Sequence, residues 1–137
     1  MSVEILKTMI LAMVADEATD YQEVELINSY RNQYPPLKDV PAKTIKSEIQ
    51  RVIVLKQNGI DDSFMVEDIG KNLSKPERLT AFALASEVCA SNFNVSDEEI
   101  NFLILLKQKW DIPKTVVESV FTSLNLRYGI PKTKDRI

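Results

Sequence analysis

Apolar residues recur at helical spacing along nearly the whole chain, and no stretch alternates with period two, so the pattern predicts an all-helical fold. The first helix is expected over about residues 3–14, capped by Ser2, with Ile5, Met9, Ala12 and Met13 on one face. A second starts after Asp20 and reaches about Gln33, with Val24, Ile27 and Tyr30 as its buried stripe, until Tyr34-Pro35-Pro36 stops it. Lys38 to Val40 reads as a linker. Pro41 opens a third helix, whose Ile45, Ile49, Val52 and Ile53 repeat as i, i+4, i+7, i+8 before Asn58-Gly59 ends it.

After the loop Ile60-Asp61-Asp62, a short fourth helix is expected over about Phe64 to Lys71. Ser74-Lys75-Pro76-Glu77 is a capping box with proline in the first turn, and it starts a fifth helix running to about Ala90 with Leu79, Phe82, Ala83 and Ser86 inward. Ser96-Asp97-Glu98-Glu99 is a second capping box, with Val95 placed to staple against Ile100. The sixth helix then carries Ile100, Leu103, Ile104 and Leu106 as far as Trp110. Asp111-Ile112-Pro113 restarts the chain into a seventh, marked by Val116, Val117, Val120, Phe121 and Leu124. The organisation read from this pattern is one helical domain over 1–126 and an extended or frayed polar tail over 127–137.

One stretch occurs twice. Residues 15–27, from Ala15-Asp16-Glu17 to Leu26-Ile27, align without gaps on residues 91–103, pairing Asp16 with Asn92, Asp20 with Ser96, Glu23 with Glu99 and Ile27 with Leu103. In both copies a helix runs into a short polar loop that supplies a cap for the next; Asp20 and Glu23 form a D-x-x-E variant of the box. Tyr34 and Trp110 fall at equivalent positions, each before a proline-containing break. An internal duplicated helical hairpin with a pseudo-twofold axis is therefore expected, with the two acidic turns near one another.

Composition narrows the function classes. A chain of 137 residues with 45% apolar and 27% charged content fits one ordinary globular domain. The longest apolar run, Met9 to Ala15, falls short of the ~18 residues of a membrane span. Met1-Ser2-Val3-Glu4 lacks a signal-peptide start, which makes the cytoplasm the expected address. The single cysteine, Cys89, lies in an apolar helical pattern and reads as a small core residue. Histidine is absent, so Ser-His-Asp and Cys-His triads, HExxH zinc sites and Glu-x-x-His di-iron ligands are excluded. A net charge of −3 argues against a general nucleic-acid binder. The charge is clustered: residues 1–37 hold six acids and two bases, 87–99 four acids and no base, and 127–137 four bases and one acid.

The chemistry these turns offer is that of a hard-cation site. Asp16, Asp20 and Glu23 from one, and Asn92, Ser96, Asp97 and Glu99 from the other, supply only oxygen ligands, as Ca²⁺ and Mg²⁺ prefer. Helix capping alone also accounts for both turns, because acids in a first turn are favoured by the helix dipole. Neither is an EF-hand loop, since the sixth position is not glycine and the twelfth is Ile27 or Leu103. Lys43, Lys46 and Arg51 on the third helix read as a solvated face or a basic partner surface, and Lys132, Lys134 and Arg136 as a weak anchor for an anionic membrane or acidic partner. Tyr34 and Trp110 read as core residues closing their hairpins. No glycine-rich phosphate loop occurs.

Two copies of an alanine-rich helix, an A-D-G turn, a short loop and S/D-x-x-E in a seven-helix chain resemble the tellurite-resistance TerB family, including the related domain of DjlA-type J-domain co-chaperones. The resemblance covers about Leu6 to Leu124. Ala15-Asp16 matches the first A-D, Glu17 replaces the usual glycine, and Asp20 and Glu23 match the acids that follow; in the second copy Asn92 and Phe93 replace aspartate and glycine, while Val95, Ser96 and Glu99 match. The resemblance implies a compact all-α, non-enzymatic binding or adaptor domain of a bacterial stress-response or membrane-associated complex. Its implied cation, Ca²⁺ or Mg²⁺, would be held by Asp16, Asp20, Glu23 and Glu99. The implied partner is another protein or a second copy, with indirect membrane association and neither nucleic acid nor a small-molecule substrate. Two other classes compete: a metal-dependent hydrolase using the clustered carboxylates, which needs them to converge in a concave site, and a small acidic inhibitor or immunity-type protein.

Overall fold

The computed structural model describes the backbone of residues 2–15, 21–91 and 93–137, and their side chains except at 2, 21–24 and 26. Among the described residues there are seven α-helices: α1 (Ser2–Val14), α2 (Tyr21–Gln33), α3 (Ala42–Gln57), α4 (Asp62–Lys71), α5 (Lys75–Ala90), α6 (Asp97–Lys109) and α7 (Lys114–Tyr128). Short 3-10 turns at Pro35–Leu37 and Lys134–Arg136 complete the architecture. No strand occurs among the described residues, and none of their helices is long and apolar enough to cross a membrane.

Local chemistry sets most of the helix ends. Both expected capping boxes are present: Ser74 Oγ accepts from the Glu77 N–H at 3.3 Å and Ser96 Oγ from the Glu99 N–H at 3.1 Å, while each glutamate accepts from its cap residue's N–H in return. Pro41 and Pro113 stand just before α3 and α7, fixing φ ahead of the first turn. Gly129 stops α7 in the left-handed conformation, with φ +68°. Two expected boundaries shift by a turn or less. Ser2 is the first helical residue instead of a cap, and α4 starts at Asp62 because Asp61 caps it, its Oδ1 accepting from the Phe64 N–H at 2.8 Å.

α1 and α5 are the central pair. α1 packs along α5 and is enclosed by α2, α3, α4, α6 and the 35–37 turn, and α5 takes α6 and α7 on its other sides. Residues 9–14 of α1 are all buried, as are residues 84–90 of α5, so neither helix has a solvent stripe at its C-terminal end. Here the one-faced reading of α5 is corrected. Phe82 and Ser86 are inside as expected, but Leu79 and Ala83 are only partly covered, and Leu84, Ala85, Glu87 and Val88 are buried around the rest of the circumference. On α6, Phe102 is buried although its position lay off the expected stripe, and Ile104 is only half-buried. Cys89 is a buried free thiol.

The last eleven residues are not a frayed tail. α7 continues through Arg127 and Tyr128; Ile130 and Thr133 are buried. Arg136 Nη2 meets Asp97 Oδ1 at 2.8 Å, and Lys107 Nζ donates to the Ile137 backbone oxygen at 2.9 Å. The polar segment is thus tied to the first and last turns of α6. Trp110 closes α6 from the inside as expected: its Nε1–H donates to the Val66 carbonyl at 3.0 Å, and the ring lies so close to Gly70 that a Cβ there would sit 2.5 Å from Nε1. Arg78 caps the C-terminal end of α4, its Nε and Nη2 donating to the Gly70 carbonyl at 3.0 and 2.6 Å.

Some helix ends fall in the register of the sequence alignment, while the starts of α1 and α5 do not, Ser2 pairing with Arg78 three residues past Lys75. The offset that aligns Asp16 with Asn92 also pairs Val14 with Ala90 at the ends of α1 and α5, Tyr21 with Asp97 at the starts of α2 and α6, and Gln33 with Lys109 at their ends.

Candidate functional site

Of the expected cation ligands, Asp16 and Asp20 lie outside the described residues, and so does the side chain of Glu23; the same holds for Asn92 of the second turn. Glu99 is described. It is buried on the first turn of α6, and Oε1 accepts the Ser96 N–H at 2.9 Å. Asp97 points outward to Arg136. Among the described residues, no three acidic or cysteine side chains gather as a metal site would require.

What the structure does assemble beside the second turn is a carboxylate on α5 held by Tyr34, just past the end of α2, and by Arg127 on α7. Glu87, on the last two turns of α5, is buried among apolar neighbours. Its Oε1 accepts from the Tyr34 hydroxyl at 3.0 Å, and Arg127 Nη1 donates to Oε1 at 2.9 Å and to Oε2 at 3.2 Å. A buried carboxylate requires such partners, and these bonds fasten the end of α2 and the end of α7 to α5. Burial first, and then the bond donated to Glu87, push the Tyr34 hydroxyl from 10.0 up to about 12. Tyr128 is raised by burial and by its interaction with the Glu87 carboxylate, and the hydrogen bond to Glu87 raises Arg127. Tyr30, edge-on to Tyr34 with ring centroids 5.3 Å apart, is raised furthest, chiefly by burial. Its hydroxyl lies near Ser91 but makes no hydrogen bond of good geometry, while the Ser91 hydroxyl donates to the Val88 carbonyl at 2.7 Å.

The network around the buried Glu87 carries an aromatic surface. The Arg127 guanidinium lies 5.4 Å from the centre of the Tyr128 ring, and the Tyr128 ring lies 5.9 Å from that of Phe93. Phe93 is 68% exposed, and its backbone has φ +65°. Only glycine adopts that region without strain, and a bulky side chain there is an outlier that its surroundings must enforce. Its N–H donates to the Ala90 carbonyl at 3.0 Å, which uses one of the free acceptors at the end of α5. The second turn thus places a bulky, exposed ring at a left-handed backbone position.

Sequence reasoning placed no role on Glu87, Arg127 or Tyr128. Glu87 did carry a signal, being a lone acid inside the apolar run Ala83-Leu84-Ala85-Ser86-Glu87-Val88-Cys89-Ala90. Tyr34, expected as a hairpin-end core residue, is half-buried and works through its hydroxyl. The basic groups expected as partner surfaces are exposed: Lys43, Lys46 and Arg51 on α3, and Lys132, Lys134 and Arg136 at the C-terminal end.

No family model, curated protein or solved structure matches the chain.

Proposed function

We propose that the chain is a non-enzymatic, TerB-like binding module, a cytoplasmic adaptor in a stress-response or membrane-associated complex, and that it meets its protein partner at the second acidic turn. The observation that carries this reading is Phe93, an exposed ring held at φ +65° against Tyr128. A strained, solvent-facing aromatic adds little to folding and is the kind of anchor on which interfaces concentrate their binding energy. The Glu87–Arg127–Tyr34 network fixes the platform beneath it, so the anchor is presented with little entropy left to lose on binding.

The test is affinity capture from the source cell with wild-type protein and with Phe93→Gly, a variant that removes the ring while relaxing the backbone. A partner retained by the wild type and lost by Phe93→Gly, with both proteins folded, supports the reading. Equal capture by the two overturns it. A divalent cation joins this proposal through Asp16, Asp20, Glu23 and Glu99. Calorimetric titration with Ca²⁺, Mg²⁺ and Mn²⁺ tests it: saturable heat lost in both Asp16→Ala and Glu99→Ala supports a shared cation. No heat, with Glu99→Ala destabilised by about 1 kcal/mol as a lost cap, removes it.

A further inference from the structure

A second concave site is built from other helices. Between α1, α3 and α4 lies a partly enclosed cavity of about 200 Å³, walled by Leu11, Val52, Leu55, Phe64 and Ile69. An apolar cavity of roughly 150 Å³ holds a benzene molecule, so this one takes a phenyl ring with a short arm or a chain of several methylenes. Phe64 stands at its edge, 64% exposed, and extends the apolar wall outward.

Four charges border the cavity: Lys7, Glu48, Arg51 and Asp68. They are not equivalent. Lys7 Nζ is already bonded to Glu4 Oε1 at 3.0 Å, and Arg51, 61% exposed at its side chain, is solvated. Glu48 is the opposite case: its side chain is only 15% exposed, Oε1 stands 3.9 Å from Arg51 Nη1, an ion-pair distance too long for a hydrogen bond, and among the described residues no donor reaches the buried Oε2. A carboxylate oxygen removed from water without a donor is costly, and the terminal torsion of glutamate turns over a broad range, so the group can rotate toward a donor that enters. The exposed Asp68 carboxylate adds a second negative charge on the same border.

We propose that this cavity binds a small amphiphilic amine: a protonated primary ammonium that bonds to Glu48, with Asp68 nearby, on an apolar body of about phenethyl or hexyl size lying along Leu11, Val52 and Phe64. The ammonium supplies the donor that the buried Glu48 oxygen lacks, and the body fills the apolar volume.

The experiment is a titration of the full chain followed by amide NMR, with hexylamine and phenethylamine as probes and hexanoate and hexanol as size-matched controls. Both amines are expected to shift amides of α1, α3 and α4 along one saturable curve, at least about tenfold tighter than either control, as a charge-assisted hydrogen bond implies. Glu48→Gln should weaken the amines by about tenfold and leave hexanol unchanged. Asp68→Lys, at an exposed position that folding tolerates, should weaken the amines and strengthen hexanoate. Hexanoate or hexanol binding as tightly as hexylamine overturns the proposal. So does the absence of saturable shifts, or an amine affinity indifferent to both variants.

Discussion

Replacing Phe93 by glycine and, separately, by alanine isolates the strain in the second turn. Both changes delete the ring and its contact with Tyr128, so that loss cancels in the comparison. At φ +65° a residue with a Cβ costs about 1–2 kcal/mol relative to one without. Glycine gives back roughly 0.5–1 kcal/mol through the extra freedom of its unfolded chain. Phe93→Gly should therefore be more stable than Phe93→Ala by about 0.5–1 kcal/mol. Against the wild type, Phe93→Ala should lose about 0.5–1.5 kcal/mol, the value of an aromatic pair, because the exposed ring leaves no cavity. Urea unfolding followed by the fluorescence of Trp110, the single and buried tryptophan, reads the difference as a midpoint shift of about 0.5 M. An alanine variant as stable as the glycine variant would refute the reasoning, since it would mean that the turn stores no left-handed strain.

Gly70→Ala should cost about 1–3 kcal/mol in the same assay and perturb the Trp110 emission, because a Cβ 2.5 Å from Nε1 must push the indole off the Val66 carbonyl. Arg127→Ala leaves the buried Glu87 with only the Tyr34 and Tyr128 hydroxyls and, because Arg127 is half-exposed, should cost about 1–2 kcal/mol; in a double-mutant cycle, Glu87→Gln should recover part of that loss. Tyr34 holds its proton up to about 12 in the folded protein against 10.0 in the unfolded chain, so its contribution to stability is constant below pH 10 and is lost as pH rises from 10 toward 12. Tyr30 and Tyr128 shift in the same direction, and tyrosinate absorbance in the native state should lag that in urea; identical titrations would contradict the burial of these hydroxyls. Removing residues 129–137 should lower stability by about 2–3 kcal/mol through loss of the buried Ile130, whereas a disposable tail would cost nothing.

The helices were legible in the chain because their starts are written locally. Ser74 and Glu77, or Ser96 and Glu99, need only each other, and proline at 41 and 113 acts on its own backbone. Trp110 was legible as a core residue for the same reason, standing at the end of an amphipathic stripe. The site was not legible, because its partners are far apart in sequence: Glu87 meets Tyr34 and Arg127, and Arg136 meets Asp97. Periodicity counts such residues as polar and assigns them to solvent. The docked C-terminal segment was missed on the same ground, with Ile130 too isolated to register as a stripe. Phe93 gave no local signal of its left-handed conformation, because a dihedral angle imposed on a bulky residue leaves no trace in periodicity.

The pairing of α1 with α5 also sets a problem of timing during synthesis. The apolar end of α1, Met9 to Val14, finds its main cover only when the chain has been made through Ala90. At about 5–20 residues per second, that interval is on the order of 4–15 s. For that time the most apolar helix of the protein leaves the ribosome without its counterpart, while α2, α3 and α4, which border it less extensively, are already available. Chains halted before α5 should therefore aggregate through the uncovered apolar end of α1.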